Sequence, residues 1–395
     1  MLNTPFLEER HRSLAKQVAN FVEQQVRGVA SGITEEEKCR LLISALAREG
    51  LLAHTVPNNF SSADGSLDVR ALCVVRDGLS YESSLADLMF AMQGLGSFPV
   101  ALAGSDEIRN RFLPLVTSGE AIAAFAITEP EAGSDVSAIQ TIARREGSSY
   151  VIDGAKTFIS NAGLADFYTV FAKTDATSGS KGISAFVVEK ETPGFYFDGK
   201  IELIAPHPIG RIRFDGCRVP LGNRLGEEGA GFKIAMTTLD AFRPTVGAAA
   251  LGLASRALDE AISYARKRVQ FGRPIAEFQA TQMKLAEMAT DLMQHGCWST
   301  ELHGRRIQLP VALRSSQRWR NCLPRKQRSA LSMRRCKYME VPEWWLGLWL
   351  NVFIARFALL GFMRAHPRSR SWLSRVSCCV DGAPLDLSAC LHHNC

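Results

Sequence analysis

The spacing of apolar residues changes twice along the chain, and this pattern limits the possible folds more than any other feature. Up to about residue 120 apolar side chains recur at helical intervals, and from about residue 121 short apolar runs bounded by turn residues are typical of strands. From residue 226 the pattern is helical again. We therefore predict an α+β fold with an N-terminal helical domain over 1–120, a central, mostly antiparallel β domain over 121–225, and the start of a C-terminal helical bundle over 226–293.

Local signals support this order of elements. Thr34 followed by Glu37 is a capping box that predicts a helix start, and Gly50 is a suitable helix stop. In the β region, Asp153-Gly154 lies between two short apolar runs and predicts a hairpin turn there. The segment "GRIRFDGCRVP" alternates apolar Ile212 and Phe214 with arginines, which predicts a strand with one buried face.

The composition changes abruptly near residue 296. All six Trp and seven of the ten Cys lie beyond it, and residues 297–395 carry a net charge of +11, against −5 for residues 1–296. The body is therefore mildly acidic, which gives no reason to expect a nucleic-acid partner. The tail cysteines show no CxxC spacing and the eight His form no ligand cluster, so we expect no metal site.

Several common enzyme sites are unsupported by the sequence. GxGxxG and P-loop patterns are missing between a strand and a helix, and HExxH and GxSxG do not occur. The N-terminus lacks the apolar run of a signal peptide, so a cytoplasmic protein is the expectation.

One segment, "FAITEPEAGSD" from Phe125 to Asp135, crowds backbone and hydroxyl donors into a turn. Such a segment can be a plain polar loop, but this combination resembles the signature of the acyl-CoA dehydrogenase flavoproteins. The segments "DGAKTFISNAG" and "RVQFGRPIAEFQATQMKLAEM" resemble that family's second flavin strand and its second signature, in the same order. The resemblance extends over roughly residues 10–293 and implies the same helix–β–helix fold and FAD as cofactor.

The resemblance also implies roles for individual residues. The flavin ring is expected to lie against two segments, with Ser134 touching both flavin and acyl-CoA, and the FAD diphosphate and adenosine half against a third segment contributed by a neighbouring subunit. The expected cofactor residues are Phe125, Ile127, Thr128, Gly133, Ser134, Phe158, Ile159, Ser160, Arg268 and Gln279. Plainer interpretations stay open. Arg268 could be a solvated charge on a helix, and Ile159 could be an ordinary core residue.

For the substrate, the resemblance implies that Asp240 and Arg243, together with Ser134, face the thioester and CoA arm, although Asp240 could also cap a helix. The family reaction removes two hydrogens from an acyl-CoA and makes a 2-enoyl-CoA. A glutamate takes the α-proton, FAD takes the hydride, and hydrogen bonds to the thioester carbonyl stabilise the developing charge. Electron-transfer flavoprotein is the implied electron acceptor, and a homodimer or homotetramer the implied assembly.

The catalytic base is missing from both positions at which the family places it. In one branch it precedes the arginine of the "LDAFR" segment, where this chain has Phe242. In most members it lies near the C-terminus in a segment such as "YEGTSE", and neither that string nor the glycine-rich "HGGxG" loop occurs here. We therefore assign no catalytic residue in this chain.

A shifted reading frame explains these losses. If each new codon begins at the third base of an old one, "MRAHPRSR" from Met363 can encode EGTSEV, and "KYMEVPE" from Lys337 can encode VHGGAG. Both strings occur in the family, and VHGGAG precedes EGTSEV along this chain, which is the family's order. We therefore interpret residues 294–395 as an aberrant, frame-shifted tail and expect the literal chain to be inactive.

The apolar stretch from Trp344 to Met363 allows a different interpretation, because it is long enough to span a membrane and is followed by arginines. Arg356 and Asn351 inside it disfavour a membrane span. One rival is accordingly a non-enzymatic, membrane-associated protein that reuses the fold. Another is an acyl-CoA oxidase-like flavoenzyme on the same fold.

Overall fold

The computed structural model describes residues 7–27, 32–57, 67–203 and 205–292. The predicted membrane stretch, the frame-shifted tail and its motifs therefore lie outside the described residues. Contacts divide the described chain into two compact units, one up to Leu253 and one from Ala254 to Leu292.

The N-terminal part is helical, as predicted. Helix α1 continues into a short π-helical segment, and a 3₁₀ segment follows α2. The helices are α1 Glu9–Phe21, α2 Glu35–Arg48, α3 Val69–Glu82, α4 Ser84–Ala103 and α5 Asp106–Ser118.

Side-chain caps fix where these helices begin. The Thr34 hydroxyl accepts a hydrogen bond from Glu37 N at 3.2 Å, and the Glu37 carboxylate accepts one from Thr34 N at 2.7 Å, so the predicted capping box is confirmed. Gly50, with φ of 73°, follows α2 in the left-handed conformation that favours glycine. Helix α4 is buried on most sides and forms the centre of this layer.

The β region forms one sheet of eight strands in the order β6-β7-β3-β2-β4-β5-β8, with β1 paired to β4. Its neighbours are antiparallel except β1–β4 and β2–β4, which are parallel. The strands are β1 Ala123–Ala126, β2 Ile142–Glu146, β3 Ser149–Ser160, β4 Phe167–Lys173, β5 Ile183–Glu189, β6 Phe195–Lys200, β7 Ile209–Pro220 and β8 Arg224–Leu225. The expected alternation in β7 is confirmed, because Ile212 and Phe214 are buried while Arg211 and Arg213 are exposed.

The predicted hairpin turn at Asp153-Gly154 is wrong. Both residues lie inside β3, where the pairing with β7 shifts between Ile152 and Gly154. Gly154 has φ of 147°, and the Asp153 carboxylate accepts a hydrogen bond from Gly216 N at 2.7 Å across the strands. A β-bulge needs the same glycine conformation as a tight turn, so the dipeptide alone does not distinguish the two.

Helix α6 extends over Gly231–Lys267, and a two-stranded ribbon of β9 Val269–Gln270 and β10 Arg273–Pro274 follows it. Residues 279–292 are helical. In the second unit Leu258, Ala261 and Met288 form a small apolar core. Ala261 and Ala265, four positions apart on α6, are both buried.

Candidate functional site

Strand β1 and the turn after it carry the first predicted flavin segment. Phe125 is half-buried, and its ring packs on Phe171 with 4.9 Å between centroids. Ile127 is buried, and the Thr128 carbonyl accepts a hydrogen bond from Thr157 N at 2.9 Å. Thr157 belongs to the second predicted flavin segment, so the fold brings together two segments that lie about thirty residues apart in the sequence.

The turn itself is closed at its base and open at its tip. Glu129 and Ala132 exchange two backbone hydrogen bonds of 3.0 and 3.2 Å. Gly133 and Ser134 at the tip are exposed, and a Cβ placed on Gly133 would have no neighbour within 4 Å. The tip therefore presents backbone groups and a hydroxyl to a molecule that approaches from outside.

A buried ion pair supports this turn from below. Lys156 Nζ lies 2.7 Å from Glu129 Oε1 and donates a second hydrogen bond to the Ile127 carbonyl at 3.2 Å. The Glu129 carboxylate also accepts hydrogen bonds from Gln140 N and from the backbone and hydroxyl of Thr141. The pair therefore joins the turn to β3 and to the segment before β2.

The electrostatics of the pair follow from its burial. Burial alone would raise the pKa of the Glu129 carboxyl, but the Lys156 ammonium and the hydrogen-bond donors hold that pKa below 4.5. Burial lowers the pKa of Lys156 to about 8, although Glu129 opposes this. A buried charge is tolerated here because each partner neutralises the other and makes further hydrogen bonds, two by the Lys156 ammonium in all and several by the Glu129 carboxylate.

The end of β3 carries the second predicted flavin segment, in an irregular backbone. The pairing with β7 shifts between Lys156 and Ile159, and Phe158 has φ of 55° with a side chain 55% exposed. A bulky residue with positive φ is a genuine outlier, and such outliers concentrate at functional sites. Ile159 is buried at 1% exposure, and Ser160 at 8%.

The residues after the bulge are tied to the loop before β7. Ser160 Oγ lies 2.8 Å from His207 Nε2, and Asn161 N donates to the Pro208 carbonyl at 2.5 Å. Asn161 is completely buried; its amide donates to the Ala123 carbonyl, but its Oδ1 has no hydrogen-bond partner among the described residues. A buried acceptor of this kind needs an explanation, and an additional bound molecule would supply one.

The predicted substrate residues lie on α6 within the first unit. Asp240 and Arg243 are half-buried and form an ion pair with 3.3 Å between Oδ1 and Nη1. Phe242 between them is buried at 4% exposure, and its ring contacts Phe98 edge-to-face at 6.0 Å. A Cβ on Gly94 of α4 would lie 2.5 Å from the Phe242 ring, so the ring fills the space that this glycine leaves.

A second buried ion pair anchors the same part of α6. The Arg76 guanidinium donates two hydrogen bonds of 2.8 Å to the Asp87 carboxylate and a third, also 2.8 Å, to Thr245 Oγ1. The Thr245 hydroxyl donates to the Phe242 carbonyl at 2.7 Å. Because the Arg76–Asp87 contact is bidentate, it fixes the orientation of the two side chains as well as their distance.

Arg268 and Gln279 lie in the second unit, where both are exposed. Arg268 N donates to the Tyr264 carbonyl and its carbonyl accepts from Ile275 N, so the backbone is ordered around the β9–β10 ribbon. Phe271 in the ribbon turn has φ of 50° and is 92% exposed. Both predicted FAD residues are thus available on the surface of this unit.

Sequence analysis missed four residues that the structure places at this site. The Lys156–Glu129 pair could have been found, because a lysine within an apolar strand pattern needs an anion. Arg76 on helix α3 had no such signal, and His207 in a loop had none either. In the described part of the chain, no group of three or more His, Cys, Asp or Glu side chains is placed to hold a metal ion.

Three family models match the chain in sequence. The N-terminal, middle and C-terminal domains of acyl-CoA dehydrogenases match residues 8–120, 124–217 and 229–303. A curated relative, the probable acyl-CoA dehydrogenase FadE25 of Mycobacterium tuberculosis, is 37% identical over 288 residues, which cover 72% of this chain and 73% of the relative.

The chain belongs to the acyl-CoA dehydrogenase family. The family's members are FAD-dependent enzymes, and its fold has the helical, β and helical order seen here. The predicted family and fold class are therefore confirmed.

Solved structures of acyl-CoA dehydrogenases agree with this assignment. Butyryl-CoA dehydrogenase from Megasphaera elsdenii superposes with a TM-score of 0.68 at 31% identity and covers 76% of this chain and 80% of its own. A glutaryl-CoA dehydrogenase from Mycobacterium smegmatis, solved in complex with FADH2, gives a TM-score of 0.67 at 28% identity over 77% of each chain.

In this acyl-CoA dehydrogenase chain, one described helix is long and apolar enough to cross a membrane. It is α4, Ser84–Ala103, and 78% of its most apolar window is buried inside the protein. This burial is what a core helix of the fold requires.

Proposed function

We propose that the chain has the framework of an acyl-CoA dehydrogenase that oxidises an acyl-CoA thioester to the 2-enoyl-CoA. FAD, when bound, accepts the hydride. The observation that carries this proposal is the contact between the Thr128 turn and the Phe158 bulge, which brings two separate segments into one wall. The protein supplies the wall, the substrate contacts and the exclusion of water.

The residues of this wall fit a flavin ring. An isoalloxazine is flat and aromatic with polar edges, so it needs an aromatic or apolar face and hydrogen-bonding groups beside it. Phe158 is an exposed aromatic ring on a strained backbone, and Thr128 and Ser160 supply hydroxyls.

On the substrate side, Asp240 and Arg243 are proposed to face the CoA arm and thioester, with Ser134 at the open tip of the turn. Arg268 and Gln279 are proposed to bind the FAD diphosphate and adenosine half of a neighbouring subunit. A guanidinium binds a diphosphate through paired hydrogen bonds. A dimer or tetramer, and electron-transfer flavoprotein as electron acceptor, belong to the same proposal, as does a cytoplasmic location.

The literal chain is proposed to turn over negligibly, because it has no base at the "LDAFR" position. Phe242 occupies that position, and its buried ring cannot accept a proton. The C-terminal family match ends at residue 303, which supports the interpretation of 294–395 as a frame-shifted tail. The same loss is proposed to weaken flavin binding, because the family's glycine-rich flavin loop falls in that tail.

The experiment compares the purified full chain with a version whose reading frame is restored near codon 293. Flavin content is measured from the visible absorbance, and turnover with saturated acyl-CoAs and an artificial electron acceptor. We expect little FAD and negligible turnover in the literal chain and recovery of both in the restored chain. Stoichiometric FAD with normal turnover in the literal chain would overturn the proposal, and a restored chain that stays inactive would show further lesions in the body.

A further inference from the structure

The Ser160–His207 contact has a direction that the surroundings determine. Ser160 is buried at the proposed flavin wall, and His207 Nε2 at 2.8 Å is the only hydrogen-bond partner of its hydroxyl among the described residues. A hydroxyl has one proton to donate and can accept through its oxygen. If His207 Nε2–H were the donor, the Ser160 proton would be left without an acceptor in a buried place, which costs more than an unused oxygen lone pair.

The backbone holds this contact in place. Ser160 is paired with Ile209 across β3 and β7, and Asn161 N donates to the Pro208 carbonyl. The two residues that follow His207 are therefore fixed to the bulge by backbone pairing, which holds the His207 backbone beside Ser160.

His207 also lines a small polar cavity of about 190 Å³. Glu35, Lys200 and Glu202 are the charged side chains that line it together with His207. Lys200 lies 3.5 Å from Glu35 and 3.7 Å from Glu202, so the acids are already balanced by a cation. Burial lowers the pKa of His207 to about 4, which keeps the ring neutral and leaves one ring nitrogen as an acceptor.

We propose that the Ser160 hydroxyl donates its proton to Nε2 of a neutral His207, so that the Ser160 oxygen is presented at the flavin wall as an acceptor. His207 is then a positioning residue that acts through Ser160 and touches neither substrate nor cofactor. The inference rests on the proposed function for the identity of the ligand, which is a flavin ring edge with an N–H group. The hydrogen bond itself belongs to the flavin-free protein.

The first test is made on the full chain without flavin, with isotope-labelled histidine followed by NMR as the pH is varied. If Ser160 donates, the bond stabilises neutral imidazole, so Ser160→Ala raises the pKa of His207. If His207 donates, the bond stabilises the charged ring, and the same variant lowers that pKa. An upward shift is expected; a downward shift or none overturns the proposal. His54, whose pKa is also lowered by burial, is the internal control and should not move.

The second test measures FAD affinity by flavin fluorescence in the frame-restored chain and in its His207→Ala and His207→Gln variants. Gln places a polar atom near the position of Nε2, so it should keep most of the affinity that Ala loses, expected to be three- to tenfold. Because His207 acts through Ser160, His207→Ala should add nothing to Ser160→Ala. Equal losses of affinity in His207→Ala and His207→Gln would show a merely structural role. So would a loss in the double variant equal to the sum of the His207→Ala and Ser160→Ala losses, and either result overturns the positioning claim. If the frame-restored chain binds no FAD at all, the flavin part of the proposed function fails, while the NMR titration still decides the hydrogen bond.

Discussion

Lys156 Nζ lies 2.7 Å from Glu129 Oε1, and both side chains are buried, at 0% and 5% exposure. The pair joins the two segments of the proposed flavin wall. Because removing one partner leaves the other charged and buried, Lys156→Met is expected to lower the free energy of unfolding by about 3–5 kcal/mol. Urea unfolding of the flavin-free chain measures this.

The exposed Arg40–Glu36 pair provides the control for this prediction. Its side chains are 47% and 62% exposed. Arg40→Ala should change the free energy of unfolding by less than about 1 kcal/mol. A loss in Lys156→Met no greater than in Arg40→Ala would show that the buried pair contributes nothing.

The same pair predicts a dependence on pH. The folded pKa of Glu129 is below 4.5, so its stabilising contribution is present above pH 4.5 and is lost as the pH falls through the folded pKa. In Lys156→Met the unpaired carboxyl has a raised pKa and is protonated sooner. The loss of stability caused by Lys156→Met should therefore be largest near neutral pH and shrink in acid. Urea unfolding of both proteins across this range tests the sign, and a loss that grows in acid contradicts it.

The Arg76–Asp87 pair predicts a different outcome for single and double changes. Arg76→Met leaves Asp87 buried without its bidentate partner and should cost about 3–5 kcal/mol of unfolding free energy. The double variant Arg76→Met/Asp87→Leu removes both charges and should recover most of that loss. Thermal and urea unfolding of the wild type, Arg76→Met, Asp87→Leu and the double variant complete the cycle. A double variant as unstable as the sum of two separate losses would mean that the residues do not act as a pair.

At Phe158 we expect the free energy of unfolding and the affinity for FAD to respond in opposite directions to a substitution. Asn tolerates the left-handed backbone better than Phe, so Phe158→Asn should leave the unfolding free energy unchanged or raise it by up to about 1 kcal/mol. In the frame-restored chain it should weaken FAD binding about three- to tenfold, because an aromatic contact contributes about 0.5–1.5 kcal/mol. Tyr196→Asn, at an exposed aromatic on β6, is the matched control and should leave FAD affinity unchanged. Unchanged affinity in Phe158→Asn would remove Phe158 from the wall.

Phe242 predicts a gain of function. Phe242→Glu places a carboxylate where one branch of the family carries its base, and burial should raise the pKa of that carboxyl towards neutrality. In chain loaded with excess FAD, Phe242→Glu should show acyl-CoA-dependent reduction of the flavin above the wild-type level. Phe242→Gln has nearly the same shape but cannot take a proton, so it should not. Equal rates in the two variants would exclude this position as a base.

Local patterns predicted the features that depend on local interactions. The Thr34–Glu37 capping box and the alternation of Ile212 and Phe214 concern residues within a few positions of each other, and both are confirmed. The family resemblance located the wall segments at Thr128 and Phe158, and their contact is a finding of the structure. Their roles towards FAD stay predictions.

Features that depend on distant residues were not predictable in the same way. Asp153-Gly154 became a bulge because Gly216 of β7 donates to Asp153 from 63 positions away. His207 meets Ser160 from 47 positions away, and Arg76 reaches Thr245 across 169. A single sequence contains no spacing rule for such contacts, because they depend on how whole elements pack.

The parallel pairing of β1 with β4 also affects how the chain folds during its synthesis. Ala123 is aligned with Phe167, and Gln93 of α4 holds the start of β1 by hydrogen bonds to the Ala121 carbonyl and from Ala123 N. During synthesis helices α1–α5 therefore emerge from the ribosome well before β4, the strand with which β1 pairs. Such non-local pairing is slow because loop closure precedes the gain in contacts. For that interval the apolar edge of the nascent helices is open to chaperones, and we expect the folding rate to depend on β4 more than on any helix.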